Sequence, residues 1–253
     1  MRVDTGRVQR SDLDRPPATD RPKKQRRAYP LKWVIVALVV AGVVVLVLPW
    51  IYINVIESPA PSKLHLPTVA GASASVAPGP VSGTWKIGAG SVAGYRVHES
   101  LFGQSNTAVG RTSQVTGGMV ISGTQVTAAQ FSVDMASIKS NTRSRDAQFN
   151  GFIMDTSSYP HGSFQLTRPI DLGRVPAVGQ TVTVPATGNL TLRGVTRPVT
   201  FELNAERLSG AIDVNAEIPI TYSLWHIPNP SFAVAQLGRT GTVEVLLHLV
   251  RQS

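Results

Sequence analysis

Residues 188–206 read GNLTLRGVTRPVTFELNAE, and this stretch decides the fold class. Leu190 and Leu192 alternate with Thr191 and Arg193; Val199, Phe201, Leu203 and Ala205 then alternate with Thr200, Glu202 and Asn204. A repeat of two is what a strand shows when one face is buried and the other is wet, because successive side chains point to opposite faces. Gly194 lies in the short break between the runs, and Pro198 sets an extended residue where the second run begins, a place where a sheet tolerates a missing N–H. The spacing predicts strand, tight connection, strand.

Working outward, further candidate strands fall at 84–87, 92–98, 107–121 with a break at Gly117-Gly118, 125–138, 162–168, 181–192, 197–208, 211–222 and 242–250. An α/β domain would need a helix between successive strands, so this succession predicts an antiparallel barrel or sandwich. One helix is expected at 141–150, capped by Asn141 or Thr142, with Phe149 and Phe152 near its C-terminal end and placed to cover one mouth of a barrel. Periodicity alone does not choose between barrel and sandwich.

Three other blocks stand in order with the hairpin. Thr84-Trp85-Lys86-Ile87 is followed by an alternating run from Ser91 to His98. The stretch from Asp134 to Asp146 passes from strand to helix and ends in the pair Arg145-Asp146; Phe152-Ile153-Met154-Asp155, Tyr159-Pro160 and Phe164 come next. Together these blocks resemble the YceI-like family, extracytoplasmic lipocalin-like barrels that bind polyisoprenoid lipids, and they span nearly all of 84–249. The resemblance implies a mainly β fold: an antiparallel eight-stranded lipocalin-like barrel with one short helix.

An eight-stranded barrel is just wide enough to be filled by side chains or to hold one small ligand. Phe131, Val133, Phe149, Phe152, Phe164, Leu190, Leu192, Val199, Phe201, Tyr222 and Trp225 are the apolar candidates for either role. For each of them singly, core packing is the simpler reading; contact with a long apolar chain is what the resemblance implies for the set. Arg145 could offer a cation to a polar lipid head such as a phosphate or quinone oxygen. The plainer reading is a helix start in which Asp146 favours the dipole and Arg145 is solvated or bonds a neighbouring carbonyl. His98, at a strand end, divides in the same way between head contact and hydrogen-bonded structure.

Charge is unevenly distributed. The chain of 253 residues carries a formal net charge of +9, but residues 1–32 hold ten Lys or Arg against four Asp. Removing them from the totals leaves 24 − 10 = 14 basic and 15 − 4 = 11 acidic residues. Most of the excess therefore sits in a basic tail without apolar periodicity, which reads as disordered. The rest shows no basic stripe with interleaved aromatics, and this points away from nucleic acid.

Residues 33–56, WVIVALVVAGVVVLVLPWIYINVI, contain no charged side chain. About 20 such residues cross a hydrocarbon core of about 30 Å, so a single transmembrane α-helix is expected ahead of the barrel. The run exceeds the usual apolar core of a signal peptide, and no small-x-small cleavage site follows it directly. Trp33, Trp50 and Tyr52 suit the two interfaces, and the preceding basic residues place the N-terminus in the cytoplasm and the C-terminal domain outside.

Residues 57–81 turn to Pro, Ser, Ala and Gly, expected to form a flexible linker with a reach of about 25 to 30 Å. The expected layout is thus 1–32 cytoplasmic tail, 33–56 transmembrane helix, 57–81 linker and 82–253 barrel. The absence of cysteine excludes disulfides and thiolate metal sites, so the outer domain must be stable through its core.

No two of His65, His98, His161, His226 and His248 are spaced as metal ligands, and no nucleophile elbow, glycine-rich phosphate loop or paired-carboxylate motif is present. The expectation is a membrane-anchored, non-enzymatic protein holding an isoprenoid-type lipid, with no cofactor other than that lipid. Two alternatives stand beside it: a filled barrel acting through its surface as an envelope interaction module, and an accessory protein or enzyme in isoprenoid-quinone metabolism.

Overall fold

The alternating runs assemble into a ring of strands in a computed structural model that describes residues 31–51, 60–67, 80–101, 104–231 and 235–252. The strands are β1 (Gly83–Ile87), β2 (Val92–Leu101), β3 (Gln104–Thr112), β4 (Val115–Ser122), β5 (Gln125–Asp134), β6 (His161–Leu166), β7 (Ile170–Asp171), β8 (Thr181–Leu192), β9 (Val195–Arg207), β10 (Ala211–Thr221), β11 (Ala235–Leu237) and β12 (Thr240–Arg251). Their pairing runs β1-β4-β5-β6-β8-β9-β10-β12 and returns to β1, all antiparallel. This is a closed eight-stranded barrel, and closure removes the exposed sheet edges. β2 continues the path of β1 along β12, and β3 continues that of β4 along β2.

The 188–206 hairpin forms the longest paired segment of the wall. β8 and β9 pair from Thr181↔Glu206 to Leu192↔Val195, so the turn consists of Arg193 and Gly194 alone. Both have positive φ, 47° and 73°, as the common two-residue hairpin turn requires. The Arg193 side chain is held beside the turn, its Nη1 donating to the carbonyl of His226 at 3.0 Å and its guanidinium 5.8 Å from the Tyr159 ring centroid. β9 begins at Val195, so Pro198 lies inside the strand and does not mark its start.

Three other expectations are corrected. The 107–121 run breaks at Ser113-Gln114, not at Gly117-Gly118, which lie within β4. These two glycines serve close approach: a Cβ would come within 2.1 Å of the Gln130 carbonyl oxygen at Gly117 and of the Trp85 carbonyl oxygen at Gly118. β5 stops at Asp134, whose side chain accepts from the Ala136 N–H and turns the chain into a 3-10 turn, Met135–Ser137.

The helix expected at 141–150 is shorter, α2 (Arg143–Gln148), and runs into a π-helical turn, Phe149–Ile153. Thr142 makes no side-chain cap. Asp146 instead reaches back to accept from the backbone N–H and hydroxyl of Ser140 at 2.8 and 2.7 Å.

Ahead of the barrel lies α1 (Leu31–Ile51), 21 residues long. Its side chains are described as far as Val45, and nearly all of them are exposed. Among the fully described residues no helix is long and apolar enough to cross a membrane, since Leu31–Val45 alone would extend only about 22 Å. The basic tail 1–30 lies outside the described residues. Of the expected linker, 60–67 and 80–81 are described and are not free coil: Val81 is buried in the barrel core, and 60–67 lies along the outer barrel wall, where Arg96 Nη2 donates to the Pro61 carbonyl at 2.8 Å and Asn215 Nδ2 to that of Leu64 at 3.0 Å.

Candidate functional site: an apolar cavity inside the barrel

Inward-facing residues follow the period of two around the wall: even positions on β8 and β10, odd positions on β9 and β12. Two buried clusters occupy the barrel ends, one around Trp85, Met119 and Leu249, the other around Phe149, Leu190 and Trp225. Between and along them runs a cavity of about 210 Å3. Its lining is almost wholly aliphatic and aromatic; Arg207 is its charged member, and that side chain donates to the Pro176 carbonyl at 2.9 Å.

Seven of the candidate residues meet at this cavity: Phe131, Val133, Phe149, Phe164, Leu190, Leu192 and Phe201. Phe164 and Phe201, from β6 and β9, pack edge to face with centroids 5.4 Å apart, a favoured aromatic geometry. Val199, Tyr222 and Trp225 pack in the cluster at the helical end without lining the cavity. Trp225 is 2% exposed, and its indole N–H donates to the Leu190 carbonyl at 3.1 Å.

Phe152, Arg145 and His98 lie off the cavity. Phe152 is 61% exposed, and the π-helical turn is the reason. The Met154 N–H bonds the Phe149 carbonyl, five residues back, at 2.8 Å. Such a turn brings residue i+5, not i+3, onto the face of residue i. Met154 therefore joins Phe149 inside while Phe152 points out.

Arg145 is occupied by protein partners: Nη2 bonds Glu99 at 3.0 Å, and Nη1 donates to Asn141. His98 is exposed, with Nδ1 3.2 Å from the Thr107 hydroxyl on the neighbouring strand.

Further wall residues went unread in the sequence. Tyr95 of β2 lines the cavity and stacks on Phe149, and Met135 and Ile138 from the 3-10 turn region line it as well. The even row of β10, from Ile212 to Ile220, was visible as alternation in AIDVNAEIPIT. Tyr95 lay within the alternating run from Ser91 to His98 and shares its inward face with Ala93 and Val97.

Two tyrosines stand at the helical end, Tyr95 in the cavity lining and Tyr222 in the cluster packed there. The Tyr222 hydroxyl is buried and meets no hydrogen-bond partner among the described residues. Burial, with the Glu99 carboxylate nearby, pushes the Tyr222 pKa up to about 12. Burial also raises that of Tyr95 to about 12, although Arg145 pulls the other way. Both therefore remain hydrogen-bond donors across the ordinary pH range. Among the described residues no group of three or more His, Cys, Asp or Glu side chains is arranged to hold a metal ion.

Comparison with known proteins fits this geometry. Residues 85–249 match the model of the YceI-like domain. Among solved structures, a polyisoprenoid binding domain from Saccharophagus degradans implicated in plant cell wall breakdown aligns with a TM-score of 0.55 at 19% identity, covering 68% of this chain and 99% of that one. BcnA of Burkholderia cenocepacia aligns at 19% identity and TM-score 0.47, covering 62% of this chain and 96% of its own. The Campylobacter jejuni YceI protein gives 12% and 0.48, with 57% and 85% covered. No curated protein matches the chain. At these identities the first alignment speaks for the fold alone.

Proposed function

This chain belongs to the YceI-like family, and from that premise we propose that it is a binding protein, not an enzyme, that holds an isoprenoid-type lipid in its barrel at the outer face of the cell membrane. The observation that carries the reading is the apolar cavity of about 210 Å3. An apolar cavity of about 150 Å3 admits benzene, so a five-carbon unit fits this one. A barrel filled by its own side chains would leave no such space. The ligand class is carried over from the description of the Saccharophagus degradans domain and agrees with the lining: burial of an apolar chain is favourable by about 25 cal/mol per Å2, while the walls offer almost nothing polar.

In this reading the lipid's polar head lies at the helical end. Tyr95, which lines the cavity at that end and keeps its proton because burial pushes its pKa up to about 12, is the natural donor to a head oxygen. Phe131, Phe164, Leu190 and Phe201 contact the chain. Arg145, already engaged by Glu99 and Asn141, holds the mouth in shape.

The anchor is α1. Its 21 residues extend about 31 Å at 1.5 Å per residue, the thickness of a hydrocarbon core. Exposed apolar side chains such as Leu38 and Val45 suit lipid better than water. The ten basic residues in 1–32 orient the N-terminus inward and the barrel outward.

The test is solvent extraction and mass spectrometry of the full chain purified from membranes. A co-purifying polyprenyl or prenyl-quinone lipid is expected, reduced by Tyr95→Phe. Repeated recovery of lipid-free protein that also fails to take up added polyprenyl compounds would reject the proposal.

A further inference from the structure

On the outside of the barrel, register places Arg111 of β3 beside Gly94 of β2, Gly94 beside Glu244 of β12, and Glu244 beside Glu217 of β10. This transverse row has a buried ionic centre. Glu244, 1% exposed, accepts from Arg96 Nε and, at 3.1 Å, from Arg111 Nη2. Gly94 keeps the path open, since a Cβ there would lie 2.0 Å from the Gly110 carbonyl oxygen and 3.0 Å from Arg111 Cγ.

Two guanidiniums bring more donors than one carboxylate can accept, and the surplus points outward to main-chain carbonyls. Arg96 Nη2 donates to Pro61 at 2.8 Å and Arg111 Nη2 to Ser62. Asn215 Nδ2 donates to Leu64 at 3.0 Å, and Lys63 Nζ pairs with Glu217 at 2.8 Å. Leu64 and Leu66 are partly covered while Lys63 and His65 are exposed, the alternation of an extended segment on a surface. A row that reads carbonyls suits a proline-containing segment, whose missing N–H groups need no partner.

We propose that this row is a docking groove for the chain's own tether, and that docking and release of 60–67 set how far the barrel can travel from the membrane. The proposal rests on the reading of α1 as an anchor. With 60–67 docked, the ten residue steps from Ile51 to Pro61 limit the separation of helix end and groove to about 35 Å; with it released, the thirty steps from Ile51 to Val81 allow about 105 Å. Docking keeps the cavity close to the bilayer, where an apolar chain can be exchanged, and release lets the loaded barrel range outward. Release leaves no orphaned charge, because Arg96 and Arg111 retain Glu244 and their outward donors turn to water.

The chain has no cysteine, so spin labels on His65→Cys and Thr196→Cys in the full chain report one distance by pulsed dipolar spectroscopy. A single narrow distribution is expected. Arg111→Met and, separately, Lys63→Glu should widen it severalfold, and adding Glu217→Lys to Lys63→Glu should narrow it again. Lys63→Glu lies on the exposed strap and carries the test alone if Arg111→Met does not fold. A broad distribution in the parent pair, or a narrow one that neither variant widens, overturns the groove. Full chain that leaves membranes in alkaline wash while keeping the narrow distance would overturn the anchor and the control of reach, with the groove intact; lipid-free barrel would sink neither.

Discussion

Tyr95 and Phe149 stack with ring centroids 5.0 Å apart and planes 15° from parallel, so one aromatic contact joins a wall strand to the π-helical turn over the cavity end. Stacked pairs are worth about 0.5–1.5 kcal/mol beyond the area they bury. Phe149 is buried as well, so its ring fastens the π-helical turn over the helical end of the cavity.

Phe149→Ala is expected to cost about 3–5 kcal/mol, the usual range for emptying a buried aromatic position. Tyr95→Phe keeps the ring and should cost under about 1 kcal/mol. Urea denaturation of the two variants checks this; equal losses would mean that the Tyr95 hydroxyl, not ring stacking, holds the turn.

Ala186 is 1% exposed and faces the cavity. Ala186→Phe should put a ring into empty space and so escape the overpacking cost of about 1–3 kcal/mol that a filled core would impose. Lipid recovered with the full chain is expected to fall at least about tenfold, equivalent to about 1.4 kcal/mol. Native mass spectrometry beside a thermal melt measures both, and undiminished lipid in a folded variant would place the ligand elsewhere.

Glu244→Gln removes the anion between Arg96 and Arg111. Breaking a buried pair from one side costs about 3–5 kcal/mol, and the lower end is expected because Arg111 remains 24% exposed. Arg96→Met with Glu244→Leu should recover much of the loss, as seen for buried ion pairs replaced by apolar residues. Urea midpoints decide it; a double variant less stable than Glu244→Gln would show that the ion pair itself is net stabilising.

Tyr95 and Tyr222 titrate near 12 in the folded chain against an ordinary value near 10. Below pH 10 both hydroxyls are protonated, folded or unfolded, and their contribution is fully present. Between about 10 and 12 the unfolded chain loses these protons while the folded chain keeps them. The unfolded state then binds fewer protons, so stability falls as pH rises. Denaturation midpoints from pH 9 to 12 should show this fall, less steep in Tyr222→Phe; an unchanged slope would locate the alkaline sensitivity in other groups.

Most of the wall was legible beforehand because a barrel strand repeats every two residues and Leu190, Leu192, Val199 and Phe201 announce their faces. The mouth was less legible. Phe149 and Phe152 look equivalent at helical spacing, and only the hydrogen bond from Met154 back to Phe149, a tertiary accommodation of the turn, sends one inward and the other to solvent. Arg145 and His98 carry chemistry that fits a lipid head, yet each is taken up by a neighbour, Glu99 or Thr107, that lies far enough along the chain to be invisible as a partner.

The sequence by itself determined the succession of strands, a hairpin with Gly194 in its break, the uncharged run ahead of the barrel and the family, because these depend on local period, turn residues and residue order. The tertiary structure alone decided that the barrel is hollow, that Tyr222 leaves a hydroxyl unpartnered at its helical end, and that 60–67 lies against Arg96, Arg111 and Asn215. Those outcomes depend on distances between residues 35 to 151 positions apart in the chain, which follow from barrel closure and shear, and closure is a property of all eight strands at once.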